Sequence, residues 1–162
     1  MSAAEARSLE IRAASNPGDI AEVRSLFRAY AASLSVDLCF QDFDAELAGL
    51  PGPYVPPAGR LFLAWVGGVA VGCVALRPLN ARDGEMKRLF VRPEGRGHQV
   101  GRRLVQAVIA AAREAGYQRL LLDTLPEMQA AQRLYESLGF EETTAYVHNP
   151  VQGAKFLALT LT

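Results

Sequence analysis

Cysteine and histidine are scarce in this chain, and neither sign of charge is in excess. The two cysteines, Cys39 and Cys73, form no metal spacing such as C-x-x-C. Each stands between apolar or small neighbours (Leu38 and Phe40, Gly72 and Val74), where a buried reduced thiol is expected. The two histidines, His98 and His148, are isolated from one another and make no ligand set, so no metal is called for. Lys plus Arg number 17, as do Asp plus Glu, giving a formal net charge of zero. A neutral chain offers no general field for nucleic acid or for an anionic membrane. No apolar run approaches the ~20 residues of a membrane span, and the opening MSAAEARSLEIRAAS lacks the continuous apolar stretch of a cleaved secretion signal. The setting these absences imply is cytoplasmic. Internal repeats and low-complexity tracts are missing too.

Half of the 162 residues are hydrophobic, which suits one domain over residues 1–162 with a real core. Leu9 to Ala13 alternates as a half-buried strand should. Asn16-Pro17 then supplies an N-cap and a first-turn proline. Ile20, Val23, Phe27, Tyr30 and Leu34 follow at helical spacing, giving an amphipathic helix over 17–34. A short helix is expected at 41–49, then a Pro- and Gly-rich loop at 50–59. Arg60–Val66 and Val69–Leu79 read as two strands turning at Gly67-Gly68. A strand at 85–92, the loop PEGRGHQVG, a helix at 100–115 and a strand at 117–123 form a right-handed crossover between parallel strands. A helix at 126–138 and strands at 140–146 and 155–161 complete a mixed α/β sandwich.

Chemistry concentrates at Arg96-Gly97-His98-Gln99-Val100-Gly101, between a strand end and a helix start. Such a place collects unpaired N–H groups and the positive end of the helix dipole, which bind phosphate. Gly97 and Gly101 allow close main-chain approach, and Arg96, Arg102 and Arg103 add charge. An ordinary tight turn with solvated arginines would leave the same pattern. Neither a P-loop nor a G-x-G-x-x-G dinucleotide motif is present.

Glu85 to Pro93, then RGHQVG and RRL, resembles the acetyl-CoA motif of the GCN5-related N-acetyltransferase (GNAT) superfamily. Ala131-Gln132-Arg133-Leu134-Tyr135 through Gly139-Phe140 is similar to that family's A-x-x-L-Y-x-x-x-G-F block. The element order agrees from Leu9 to the end. The resemblance implies a single-domain α/β (α+β) GNAT fold, with a mixed central sheet of about seven strands flanked by about four helices. It also implies acetyl-CoA as co-substrate and a small-molecule or peptide amine as acceptor. The main chain of Leu89, Phe90 and Val91 would contact pantetheine. Arg96, Gly97, His98, Gln99, Val100, Gly101 and Arg102 would hold the pyrophosphate.

By the same resemblance Tyr135 is the candidate acid that protonates the leaving thiolate, although its helical spacing also fits a core residue. Glu85 is the candidate base, or else a solvated strand-end carboxylate. Alternation would set Glu85, Lys87, Leu89 and Val91 on one face of the strand and Met86, Arg88 and Phe90 on the other. The acceptor region would draw on Tyr30, Phe40, Phe43, Tyr54 and Arg77, each of which also has a structural reading. Two positions depart from the family pattern: Gln99 stands where a glycine is usual, and Met128 where asparagine often stands. They motivate a second reading, a non-catalytic acyl-CoA-binding sensor. A nucleic-acid-binding reading through Arg88, Arg92, Arg96, Arg102 and Arg103 lacks an aromatic-and-basic strand signature. Family members are often dimers, which leaves a homodimer open.

Overall fold

Asn16 sets the first helix. Its side chain accepts a hydrogen bond from the Asp19 backbone N–H at 2.8 Å, and Pro17 stands in the first turn. In the computed structural model, which describes residues 8–35, 37, 38 and 42–161, that helix (α1) spans Pro17–Ser33. It follows β1, Leu9–Ala13, and precedes α2, Phe43–Gly49. Then come β2, Arg60–Val66, β3, Val69–Pro78, and β4, Asp83–Val91. A 3-10 turn at Pro93–Gly95 leads to α3, Val100–Glu114. The chain ends with β5, Arg119–Thr124, α4, Gln129–Ser137, β6, Glu141–Thr143, and β7, Lys155–Thr160. The element order is the expected one. Cys39 and Phe40 lie outside the described residues.

The seven strands form one mixed sheet in the order β1-β2-β3-β4-β5-β7-β6, with β4 and β5 parallel and the other neighbours antiparallel. Both faces are covered, and β3 divides its side chains between them. Val74 and Leu76 pack with α3, while Cys73 and Ala75 pack with α1 and α2. On α3, Leu104, Val105, Val108 and Ala112 are fully buried. Burying each of the larger three is worth about 1.5–3 kcal/mol, enough to hold the helix flat on the sheet.

Most boundaries fall within two residues of expectation, and two differ by three. The strand expected at 140–146 stops at Thr143. Beyond it Asn149 turns the chain, accepting the Val151 N–H at 3.0 Å, and Pro150 has no N–H to offer a ladder. The last helix starts at Gln129 rather than 126, because residues 125–128 close a turn of their own, with Met128 N on the Leu125 carbonyl at 3.0 Å.

Candidate active site

β4 and β5 are paired over three residues only, Asp83 to Glu85 against Arg119 to Leu121. Beyond Glu85 the strands part. The cause lies in β4: from Phe90 to Lys87 it advances three residues while β3 advances two, from Cys73 to Ala75. The extra residue is absorbed at Arg88, whose φ is +62°, and a bulge of this kind bends its strand. The edge of β4 that faces away from β3 therefore presents main-chain groups with no strand partner, at Leu89, Phe90 and Val91.

The bulge also overturns strict alternation. Leu89 and Val91 pack towards α3 with Met86, whereas Phe90 packs towards α1 and α2. Glu85 and Lys87 share that α1/α2 side with Arg88, as their common neighbours Glu46 and Arg77 show. Arg88 is buried, and it donates two hydrogen bonds of 2.9 Å to the Glu46 carboxylate of α2, with the Phe43 ring 5.2 Å away. A paired fork of this type fixes the bulge to α2.

Two cavities open from the parting. The first, about 60 Å³, runs between the strands and is lined by Met86, Leu89, Leu122, Met128 and Tyr135, with Tyr30 across from them. Tyr135 is 6 % exposed, its ring tilted 5.7 Å from Phe140, so it is core and cavity wall at once. Burial pushes its phenol above the usual tyrosine value. Met128 makes this wall apolar and receives a long contact from the Thr124 hydroxyl at 3.8 Å.

The second cavity, about 160 Å³, lies on the α2 side, lined by Glu46, Arg77, Glu85, Lys87, Asp123, Val147 and His148. Glu85 was expected either as the candidate base or as a solvated strand-end carboxylate. It is instead fully buried with both oxygens occupied: Oε1 accepts from Arg77 Nε and Oε2 from the Tyr146 hydroxyl, each at 2.7 Å. Arg77 is accordingly an ion-pair partner, with a third of its side chain exposed to the cavity. Burial, reinforced by the Glu85 carboxylate, pushes the Tyr146 phenol well above its ordinary range. Burial also lowers Lys87, against the opposing pull of Glu85.

Tyr54, expected at the acceptor cleft, belongs to the core beneath it. It is 3 % exposed and meets Phe27 edge-on at 6.3 Å. Tyr30 does line the cleft, edge-on to Phe90 at 6.2 Å. The loop Arg96 to Gln99 lies at the surface, and Gln99 takes the left-handed conformation that begins α3, with no side-chain cap. The N–H groups of Val100, Gly101 and Arg102 precede the first intrahelical donor of α3, Arg103, whose N–H bonds the Gln99 carbonyl at 3.0 Å. A Cβ at Gly97 would meet nothing within 4 Å, and one at Gly101 only Leu134 at 3.5 Å, so the approach is open. Arg102 donates to Ser137 at 2.7 Å, which ties α3 to α4 beside the opening. An extended thioester with a diphosphate at one end fits this layout: an apolar slot, an unpaired strand edge and a bare helix start.

Sequence reasoning missed Glu46, Asp123, Tyr146 and Asn149 as site residues. Asp123 carried a signal, because it ends the apolar run Leu120-Leu121-Leu122 at the carboxyl end of a parallel strand, where ligands gather in open α/β sheets. Tyr146 and Asn149 carried none, since a loop delivers them from across the sheet. Among the described residues no group of three or more His, Cys, Asp or Glu could hold a metal ion. Nor is any described helix long and apolar enough to cross a membrane.

The sequence profile described as "Acetyltransferase (GNAT) family" matches residues 21–140. An uncharacterized N-acetyltransferase of Schizosaccharomyces pombe is 38% identical over 156 residues, which span 95% of this chain and 96% of that one. An IAA acetyltransferase of Azospirillum brasilense is 39% identical over 87 residues, 53% of this chain and 57% of its own. A putative acetyltransferase of Salmonella typhimurium, solved with its cofactor acetyl-CoA, shares the fold at a TM-score of 0.74 and 20% identity, over 95% of this chain and 94% of that one.

Proposed function

Because the chain belongs to the acetyltransferase (GNAT) family, we propose that it moves an acetyl group from acetyl-CoA to a primary amine of a small molecule or peptide, both substrates being bound at once. The observation that carries this reading is the parting of β4 from β5 beyond Glu85, with Tyr135 in the wall of the opening.

In this reading the N–H groups of Val100, Gly101 and Arg102 receive the diphosphate, with Arg96, Gly97, His98 and Gln99 around it. The unpaired edge of Leu89, Phe90 and Val91 takes the amide-bearing arm as an added strand would. A main-chain N–H of the same edge, at Leu89 or Val91, polarises the thioester carbonyl. Tyr135 gives its proton to the departing thiolate. The dry surroundings that raise its phenol raise the thiolate's basicity too, so donor and acceptor stay matched. Glu85, with both oxygens in use, anchors Arg77 and Tyr146 in the acceptor wall. Tyr30 and Arg77 border the path of the acceptor. The compartment we assign is the cytoplasm, in keeping with the free buried thiol of Cys73.

The test is thiol release from acetyl-CoA over a panel of primary amines, with acetyl-CoA affinity measured by calorimetry. Tyr135→Phe is expected to lower kcat by about 100-fold or more, the range of a lost proton donor, with affinity unchanged. Equal rates in the two proteins would remove the tyrosine's role. Acetyl-CoA binding without release to any amine would make the chain an acyl-CoA sensor.

A further inference from the structure

The acceptor nitrogen has to reach the thioester where the two cavities meet. Two side chains line both: Lys87 and Asp123. A lysine ammonium repels an incoming ammonium. Asp123 is the last residue but one of β5, beyond the point where β5 has left β4. One of its oxygens, Oδ2, accepts from Asn149 Nδ2 at 3.0 Å, which orients the group. A carboxylate has about four acceptor sites, so this bond leaves capacity for an ammonium. Glu85, the other acid of β4 and β5 at the acceptor cavity, has Arg77 on one oxygen and Tyr146 on the other.

We propose that Asp123 is the catalytic base: the carboxylate that binds the acceptor ammonium at the junction of the cavities and takes its proton. The assignment rests on the acetyltransferase reading above. Two protons leave the nitrogen during transfer. The first passes to Asp123 and from there to water, which frees the lone pair to form the C–N bond. As the C–S bond breaks, the sulfur keeps the electron pair and gains a proton from Tyr135, which the nitrogen's second proton replaces.

The groups facing Asp123 come from several elements. Tyr30 of α1, Lys87 of β4, Tyr135 of α4 and Tyr146 of the loop after β6 all feel its charge. Arg88 shares the first cavity with it, while Glu46, Arg77, Glu85 and His148 share the second. Glu46 is paired to Arg88 and Glu85 to Arg77, so the fixed charges around the junction largely cancel.

A base is needed only for an amine that arrives protonated. The experiment therefore compares two nucleophiles in the full chain: the fastest alkylamine of the panel, and the hydrazide of the same skeleton, which is unprotonated near neutral pH. Asp123→Asn is expected to lower kcat/KM for the alkylamine by about 100-fold or more at pH 7 and for the hydrazide by less than about 10-fold. The alkylamine loss should shrink as pH rises and free amine accumulates. Acetyl-CoA affinity should stay as in the unaltered protein, which checks that the variant is folded. Should asparagine not be tolerated there, Asp123→Ser gives the same contrast. An equal loss with both nucleophiles, or an unchanged alkylamine rate, overturns the role of Asp123 and leaves the acetyltransferase reading standing. An unaltered protein that acetylates no amine overturns both.

Discussion

The same two strands are zipped at one end and open at the other. At the closed end β4 and β5 exchange a full ladder, and the Arg119 guanidinium grips Asp83 with bonds of 3.2 and 3.1 Å. Packing there is so close that a Cβ on Gly84 would stand 2.7 Å from the Tyr117 ring. At the open end a residue is added to β4, the ladder stops, and Arg88 turns away to a helix rather than across to β5. A closed end makes the opening a fixed wedge rather than a frayed edge: it holds the strands in register so that the gap beyond has one shape. Stability and function are thus divided along the length of one strand pair.

The largest expected effect comes from breaking the open end at its anchor. Arg88→Met removes one partner of an ion pair whose side chains are 2 % and 13 % exposed. Glu46 is then left buried without its cation, which typically costs about 3–5 kcal/mol. A Tm lowered by several degrees is expected, with acetyl-CoA affinity weakened because the bulge is no longer pinned. Adding Glu46→Leu to that variant should restore most of the stability, since an apolar pair can replace a buried ionic one. If the double variant regains Tm but not acetyl-CoA binding, the pair shapes the wedge. If it regains both, the pair serves packing alone.

That anchor shows where sequence reading reached its limit. The element order, the crossover and the bare helix start all follow from local signals: Asn16-Pro17, the doublet Gly67-Gly68, and the loop from Arg96 into Val100. The bulge does not: the doublets Lys87-Arg88 and Leu89-Phe90 in Met86-Lys87-Arg88-Leu89-Phe90 interrupt alternation but do not say which residue is extra. Its extra residue is defined only by counting against β3. Glu85 illustrates the same limit for charge. A carboxylate at the start of a strand reads as a base or as a solvated group, and only the fold brings Arg77 and Tyr146 onto its two oxygens. Tyr54 was misplaced for a related reason: a Pro-rich loop suggests surface, yet its one aromatic packs inward on Phe27.

A smaller effect is expected from the closed end. Arg119, as hydrogen-bond donor, holds the Asp83 carboxyl below its ordinary value against the opposing effect of burial, with help from Asn80. A carboxyl depressed in the folded state adds stability above its unfolded pKa of about 3.9 and loses it as pH falls through the lower folded value. Because Arg119 is about half exposed, at 47 %, the clamp is worth no more than about 1 kcal/mol. Asp83→Asn should therefore lower Tm by a few degrees at pH 7, and the two proteins should converge as the pH drops below about 4. A deficit that persists unchanged into acid would show that the amide disturbs packing rather than removing a charge clamp. Acetyl-CoA affinity should follow the wild type, because the wedge begins beyond Glu85.

The smallest effect is expected where α3 meets the loop. Gln99 holds φ 55° and ψ 35°, a left-handed conformation that costs an ordinary residue about 1–2 kcal/mol and glycine almost nothing. Gln99→Gly relieves that strain but gives the unfolded chain more freedom, which takes back about 0.4–1 kcal/mol. Because the second term offsets part of the first, Tm should rise by a few degrees at most. The informative reading is acetyl-CoA affinity. Should the helix N–H groups carry the diphosphate, removing an uncapped side chain from an exposed loop leaves affinity within about threefold, or improves it. A tenfold loss would mean that the Gln99 amide itself donates to the ligand. The open end would then owe part of its grip to the very side chain that holds the left-handed turn into α3.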